Sequence, residues 1–292
     1  WGVVLSNKPT LHKVAVEEKP EFGVYAAEVP FVDGKPQFVP GVLEGEELWL
    51  TLSKYFMPVH NVKDFSKFKR GFRCIGADIE TGDAVVMDHG EIVTALRGSM
   101  AIPSVFTPIQ YEGKTVVDGG IVRNFPVSDV IEMGAGYVIG VNVGQGLHKA
   151  EDLKSAIDVL YQISFYRDAK DFELQKQRCN NFVQVDMPGF SAASFGSADS
   201  ILKVGQETGR QWYPVFKALA DSLNAIYGKP VPKQISYTLT DTLLVNEISY
   251  EGLSRTNTRS IETRMGLEAN TYYSADEIND AVRSAFGTRN YY

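Results

Sequence analysis

The chain has 292 residues, with 29 Lys and Arg against 36 Asp and Glu, so its formal net charge is −7. Hydrophobic residues make up 44% of it and charged residues 22%, proportions that exclude disordered, collagen-like and coiled-coil chains. The acidic balance argues against a nucleic-acid-binding surface, which needs clustered Lys and Arg. We therefore predict a globular protein of one large or two smaller domains with no nucleic-acid partner.

The segment Phe65–Arg73 is the one place where basic and aromatic residues crowd together. Such interleaving is found in surfaces that stack on nucleic-acid bases. A solvated loop that leads into a strand has the same composition, and we favour this second interpretation.

Cysteine and histidine are too sparse for a disulfide framework or a metal centre. Cys74 and Cys179 lie in different segments, and the four histidines lack the spacing of metal ligands. We expect buried free thiols, no metal and no cofactor. The longest apolar runs, such as Tyr137–Val143, are far shorter than the roughly 20 residues of a membrane helix.

The first 150 residues predict a mixed pattern of elements. The stretch before Gly71 is irregular and rich in proline, with one helix at Gly45–Tyr55. After it, the apolar spacing changes between strand and helix periods. The predicted elements are paired strands Phe72–Asp78 and Asp83–Met87, helix Glu91–Gly98, strand Lys114–Val117, helix Val127–Met133 and a strand Tyr137–Val143 buried in a parallel sheet.

The following residues continue the alternation to Tyr227. The predicted elements are a long amphipathic helix Glu151–Gln177, strand Asn181–Met187, a helix from Ala198 through Gly205 and a second helix Gly209–Tyr227. Strands that alternate with helices predict an α/β fold, with a sheet flanked by helices.

Gly228–Lys233 holds two prolines and a glycine directly after a helical pattern, which is typical of a linker. We place domain boundaries accordingly: an α/β domain at 1–228, a linker at 229–235 and a small α+β module at 236–292. The module predicts one strand, Thr242–Tyr250, followed by helices Asn257–Met265 and Ser274–Phe286. One strand cannot form a sheet, so the module must continue or pair with something else.

The sharpest local motif is Asp118-Gly119-Gly120 at the end of the strand Lys114–Val117. A strand that ends in Asp and turns at once delivers a carboxylate to the sheet edge where α/β enzymes build their sites. Glycines permit a close backbone approach that a side chain would block. By itself, however, Asp-Gly is an ordinary turn, and on the tripeptide alone we favour that interpretation.

The neighbouring motifs favour a functional role for the Asp118 turn over an ordinary turn. Four motifs follow one another along the chain. They are an Ala77-Asp78-x-x-Thr81-Gly82 strand and turn, a small-residue segment Ser99–Pro103, the Asp118 turn with Asn124-x-Pro126, and a Gly134–Gly136 turn into an apolar strand. This series resembles the patatin-like phospholipases over roughly residues 1–228. The resemblance implies an acyl hydrolase that attacks lipid esters with a Ser–Asp dyad in place of a triad.

The resemblance assigns the base of the dyad to Asp118, with Gly119, Gly120 and Asn124 forming the supporting turn. A carboxylate needs a water-poor, apolar setting to become a useful base, and the flanking residues Val116, Val117, Ile121 and Phe125 would supply one. No histidine accompanies these motifs, which agrees with a dyad.

The nucleophile motif of the family is missing from this sequence. Patatin-like enzymes carry the serine in a Gly-x-Ser-x-Gly elbow and the oxyanion donors in a glycine-rich loop, and neither occurs here. We expect that the N-terminal strand, oxyanion loop and elbow belong to a segment before Trp1. We therefore predict that the 292 residues alone are inactive.

The tail from Val245 to Tyr292 resembles the first part of a POTRA domain, whose order is β-α-α-β-β. A patatin-like domain followed by a POTRA resembles bacterial outer-membrane proteins that continue into a C-terminal β-barrel. This resemblance implies a cell-envelope location, a phospholipid or lysophospholipid substrate at a membrane surface, and a homodimer. The alternative hypothesis is a non-catalytic envelope module, in which a degenerate patatin-like domain and the POTRA serve binding or outer-membrane assembly.

Overall fold

The structure is a computed structural model that describes residues 31–32, 35–36, 41–43, 45–147, 149–153, 159, 162–190, 194–231, 242–250 and 257–286. The strands are β1 (Phe31–Val32), β2 (Lys35–Pro36), β3 (Gly41–Leu43), β4 (Cys74–Asp78), β5 (Ala84–Met87), β6 (Ser104–Phe106), β7 (Ile109–Tyr111), β8 (Lys114–Asp118), β9 (Ile139–Asn142), β10 (Asn181–Gln184), β11 (Thr242–Val245) and β12 (Thr271–Ser274). The helices are α1 (Glu46–Phe56), α2 (Ile92–Ser99), α3 (Val127–Glu132), α4 (Tyr166–Lys176), α5 (Ala198–Tyr227), α6 (Thr258–Met265) and α7 (Ala275–Phe286).

The largest sheet in these residues has four antiparallel strands in the order β5-β4-β8-β7. Asp118 at the end of β8 lies opposite Gly76 of β4. The predicted hairpin of β4 and β5 is confirmed, and so is the mixed α/β class. Two shorter parallel pairs accompany the sheet, β3 with β6 and β9 with β10.

The core of this sheet forms where α2 covers one of its faces. Phe65, Met87, Ala95 and Val116 are all completely buried there. Gly76 allows the close packing, because a Cβ at this position would lie 2.2 Å from Val116 Cγ1. The sheet and α2 therefore form a rigid platform below the end of β8.

The aromatic residues of Phe65–Arg73 belong to this core. The Phe65 ring is fully buried, stacks on Phe68 at 5.3 Å between centroids and packs against Phe72 at 6.1 Å. Rings that pack on one another in the core are not free to stack on bases. This packing favours the structural interpretation of the segment.

The strand predicted at Tyr137–Val143 is β9, and it is less buried than expected. Its parallel pairing with β10 is as predicted. Ile139 and Val141, however, are 43% and 54% exposed, while a Cβ at Gly140 would lie 2.4 Å from Phe125. Alternate residues of a strand point to opposite faces, so one face of β9 packs on Phe125, and the residues that the structure describes leave the other face exposed.

Two helix predictions need correction. The helices expected on either side of Gly205–Gly209 are one helix, α5, whose 30 residues include Pro214. Glycine lowers helix stability by only about 1 kcal/mol, which the long helix tolerates. The expected helix Glu151–Gln177 differs at its start, where Ala150–Asp152 is a 3₁₀ turn, while residues 162–164 are helical and α4 follows after a turn at Phe165. Residues 154–158 and 160–161 lie outside the described residues.

The C-terminal module contains a second strand that the sequence reading missed. β12 pairs antiparallel with β11, because Thr271–Ser274 is extended before α7 begins. The prediction of a single strand is therefore wrong, and the order is β-α-β-α. Residues 232–235 of the predicted linker and residues 236–241, which precede β11, lie outside the described residues.

The module docks on α1 through its last helix. Arg283 contacts the Glu47 carboxylate with two nitrogens, at 2.7 and 2.8 Å, and Asn279, which is buried, donates to the Leu50 carbonyl at 3.0 Å. Lys54 pairs with Asp276 at the exposed end of the contact. Among the described helices, none is long and apolar enough to cross a membrane.

Candidate functional site

Asp118 ends β8, and its side chain caps the 3₁₀ turn Gly119–Ile121. Asp118 Oδ1 accepts a hydrogen bond from the Gly120 N–H at 2.7 Å. The Asp118 N–H donates to the Ala101 carbonyl at 3.0 Å. The segment that follows α2 therefore holds the backbone of Asp118, and the turn that follows β8 holds its carboxylate.

Burial controls the protonation of this carboxylate. Loss of hydration disfavours the charged form and raises the pKa of Asp118 above the ordinary value of 3.8, while the hydrogen bond from Gly120 lowers it in part. Val116 and Val117, the two preceding residues, are 0% and 3% exposed. The apolar setting expected from the sequence is thus present at the end of β8.

The two glycines are needed for this turn. A Cβ at Gly119 would lie 2.3 Å from the Ile75 carbonyl oxygen, so a side chain there cannot fit without moving β4. A Cβ at Gly120 would lie 3.0 Å from Asp118 Oδ1 and 3.3 Å from Asn124 Oδ1. The side chains of Asp118 and Asn124 therefore converge on the same side of Gly120.

Asp168 fixes the far end of this turn, and the sequence reading missed it. Its Oδ1 accepts the Asn124 N–H at 2.6 Å, and the residue is 9% exposed. Burial raises the pKa of Asp168, an effect that the Asn124 hydrogen bond opposes and nearby Asp171 reinforces. An acid in the first turn of an exposed helix is commonplace, so no sequence signal distinguished it.

The loop then passes into α3 through a buried ion pair. Arg123 Nη1 donates to both oxygens of Asp129, at 2.9 and 3.2 Å, and the Asp129 side chain is only 4% exposed. The Arg123 side chain is thus bonded to Asp129 of α3, and the Asn124 backbone N–H is bonded to Asp168 of α4.

Arg97 is a second residue that the sequence reading passed over. It is completely buried in α2, and its guanidinium lies 4.9 Å from the Phe106 ring centroid. Burial lowers the pKa of Arg97. A Cβ at Gly45, the residue before α1, would lie 2.9 Å from Arg97 Nη2. Arg97 lies about 140° around the helix from Ile92, so helical periodicity gave no signal for its burial.

Ser99 is the hydroxyl that the described contacts bring closest to the turn. Its Oγ donates to the Ile75 carbonyl at 2.6 Å, the same oxygen that Gly119 packs against. The hydrogen bond to a backbone carbonyl holds this hydroxyl in a structural contact. Ser99 is not within a Gly-x-Ser-x-Gly motif, and the sequence contains no such motif.

A pocket of about 430 Å³ opens between the start of β4 and α3. Its lining residues are Gly71, Phe72, Arg73, Ile75, Pro126, Asp129, Val130, Met133, Gly134 and Ala135. The walls are chiefly apolar, with Arg73 as the cation. In the part of the chain that the structure describes, no cluster of three or more His, Cys, Asp or Glu residues is arranged to hold a metal.

A buried carboxylate on a close-packed glycine turn at a strand end is the kind of site at which α/β enzymes place their functional groups. Comparison with known families makes this more specific. Residues 44–131 match the family model of the patatin-like phospholipases, a span that contains Asp118, Gly119, Gly120 and Asn124. This part of the chain is therefore similar to the patatin-like phospholipases.

Curated proteins are also similar to parts of the chain. The chain is 21% identical over 198 residues to the lysophospholipase NTE1 of Meyerozyma guilliermondii, a match covering 54% of this chain and 14% of that protein. It is 30% identical over 140 residues to the lysophospholipase NTE1 of Mycosarcoma maydis, covering 42% of this chain and 7% of that protein. An uncharacterized NTE family protein of Mycobacterium tuberculosis is 34% identical over 74 residues, or 25% of this chain and 13% of that protein. The matches thus span a seventh or less of these relatives.

Proposed function

We propose that the protein is a lipid acyl hydrolase of the phospholipase A or lysophospholipase type, in which Asp118 is the base of a Ser–Asp dyad. The observation that carries the proposal is the buried carboxylate of Asp118, held on a close-packed glycine turn inside the patatin-like segment. Relatives named as lysophospholipases support the lipid ester as the substrate class.

The geometry of the carboxylate supports this role. Asp118 Oδ1 accepts the Gly120 N–H, which leaves Oδ2 to accept a proton from a serine hydroxyl. As that serine attacks the ester carbonyl, its proton passes to Asp118, and the leaving alcohol takes the proton when the ester bond breaks. Water then hydrolyses the acyl-enzyme by the same proton transfers in a second half-reaction. The raised pKa makes Asp118 a stronger base than an exposed aspartate.

The serine of this dyad belongs, in our proposal, to a segment outside the 292 residues. The absence of Gly-x-Ser-x-Gly from the sequence supports this assignment. The order of a patatin-like segment and the C-terminal module supports placing the protein in the bacterial envelope, with the module as the start of a POTRA that leads to a C-terminal barrel. The substrate would then be a phospholipid or lysophospholipid at a membrane surface.

The test uses the full-length protein, a serine-reactive fluorophosphonate probe and a phospholipid substrate. Asp118→Asn keeps the shape and the acceptor for Gly120 but removes the base, so kcat/KM should fall by about 10³-fold or more. Asp186→Asn, at an exposed aspartate, is the matched control and should leave turnover unchanged. Labelling and turnover that persist in Asp118→Asn would refute the assigned role.

The pH profile gives a second measurement on the same enzyme. Asp118 acts only when ionised, so kcat/KM should decline as the pH drops through its raised pKa, at a pH above the ordinary aspartate value of 3.8. An acid limb centred at or below that value would contradict a buried base.

The alternative function is a non-catalytic envelope module, which the missing nucleophile motif favours. The residues encoded immediately before Trp1 discriminate between the two. An intact Gly-x-Ser-x-Gly there supports the enzyme, and a glycine or alanine in place of the serine supports the module. The 292-residue chain should hydrolyse no ester, and Ser99→Ala is the control if it does.

A further inference from the structure

One side of helix α4 contacts the segment Asn124–Ser128, which follows the Asp118 turn. The contacting side chains are four and three residues apart, so they lie within about 60° of one another around the helix. They are Asp168, Phe172 and Gln175. The three contacts fall in the same order along both stretches, so α4 holds the segment at successive points.

Two of these contacts lie at the start of α3. The Phe172 ring packs on Phe125 at 5.3 Å between centroids, and Phe125 is 7% exposed. Gln175 Oε1 accepts hydrogen bonds from the N–H and the hydroxyl of Ser128, at 2.8 and 2.7 Å. These contacts fix α3 against α4, beyond the Asp118 turn.

The third contact, made by Asp168, reaches the turn itself. An acid in the first turn of a helix ordinarily lies at the surface, beside the free N–H groups of its own helix. Tyr166 and Arg167 are exposed, but Asp168 is buried and its Oδ1 accepts the Asn124 N–H at 2.6 Å. A buried carboxylate is costly unless it is hydrogen-bonded. The contact with Asn124, and not capping of α4, therefore explains the position of Asp168.

The backbone of Asn124 is the far end of a short, closed turn. Only three residues separate it from Gly120, whose N–H donates to Asp118 Oδ1. Inside the turn, the Arg123 N–H donates to the Gly119 carbonyl at 2.8 Å. The Asn124 side chain lies on the same side of Gly120 as the Asp118 carboxylate. A displacement of the Asn124 backbone would therefore be passed through the turn to that carboxylate.

Helix α4 can serve as a fixed support because its first turn is tied to the sheet that carries Asp118. Arg167 donates to the Gly82 carbonyl and pairs with Asp83 at 3.3 Å. Both partners belong to the turn between β4 and β5, and β4 pairs with β8. The first turn of α4 thus connects one end of the sheet to the turn that follows β8.

We propose that Asp168 is a positioning residue for Asp118, which it orients through Asn124 and the turn between them. The catalytic consequence rests on the proposed function of Asp118 as a base. Asp168 acts through Asn124 and not on the substrate, so its loss should lower kcat and leave KM nearly unchanged. A catalytic group displaced by about 1 Å can lower the rate by about 10²-fold.

The first test needs no activity: it is amide hydrogen exchange of the 292-residue chain, measured residue by residue by NMR. Asp168→Ala should speed exchange of the Asn124 and Gly120 N–H groups by about 10-fold or more, because the turn loosens as a unit. Asp168→Asn keeps a weaker, neutral acceptor, so its effect at Gly120 should be about threefold. Gln175→Ala, the matched control on the same side of α4, should speed exchange at Ser128 and leave Gly120 unchanged. Unchanged exchange at Gly120 in Asp168→Ala, or in Asp168→Asn should the alanine variant not fold, overturns the inference.

The second test measures kcat and KM of the full-length protein on a phospholipid substrate. Asp168→Ala should lower kcat by about 30-fold or more and change KM by less than about threefold. Asp168→Asn should restore kcat to within about threefold of the unmodified protein, and Gln175→Ala should leave it unchanged. An unchanged kcat in Asp168→Ala overturns this inference, whereas an unchanged kcat in Asp118→Asn overturns the proposed function itself.

Discussion

The glycines of the Asp118 sheet and those of α5 differ in what surrounds them. A Cβ added at Gly76 or Gly119 would lie 2.2 or 2.3 Å from its nearest neighbour, whereas one at Gly205 or Gly209 would meet no described heavy atom within 4 Å. In the sheet, glycine is required by the folded chain itself. In the helix, each glycine lowers helix stability by about 1 kcal/mol, and no contact within the described residues requires it.

The largest effect should follow a substitution in the sheet. Gly119→Ala forces a methyl group against the Ile75 carbonyl, so β4 and the end of β8 must move apart to admit it. We expect the free energy of unfolding to fall by about 3 kcal/mol, measured by urea denaturation. An unchanged midpoint would show that the turn is far looser than its geometry indicates.

This region is also where the sequence was most informative. The Asp-Gly-Gly turn, the strand before it and the convergence of Asn124 follow from local rules for strand ends and close approach. Asp168 and Arg97 do not, because each owes its role to a contact with a distant segment: Asp168 with Asn124 across 44 residues, and Arg97 with Phe106 and Gly45. Periodicity predicts the face a residue occupies but not the element that faces it.

The errors have the same physical origin. The apolar run Tyr137–Val143 predicts a buried strand, but the covering of its second face depends on residues that are not adjacent in sequence. The helix predicted at Ser274–Phe286 begins one residue later, because pairing with β11 extends Thr271–Ser274. The two glycines of α5 were read as a break, whereas the flanking turns carry the helix through.

Helix α7 is the intermediate case between the sheet and α5. It is amphipathic like α5 but docks on α1, where the buried Asn279 side chain donates to the Leu50 carbonyl at 3.0 Å. Asn279→Ala removes a buried hydrogen bond and should lower the free energy of unfolding by about 1–2 kcal/mol. Asp276→Ala, at an exposed ion pair on the same helix, should cost less than about 0.5 kcal/mol.

Equal unfolding midpoints for these two variants would mean that α7 rests on α1 without contributing to stability. The C-terminal module would then resemble α5 more than the sheet.

The smallest effect, and the one that separates the two regions most cleanly, comes from repeating the first substitution in the helix. Gly209→Ala should raise the free energy of unfolding by about 0.5–1 kcal/mol, because helix propensity improves and nothing in the described residues obstructs the methyl group. Urea denaturation measures this change beside that of Gly119→Ala, which should have the opposite sign. A lower midpoint for Gly209→Ala would show that the helix has a close neighbour at Gly209, and the difference between the two regions would then disappear.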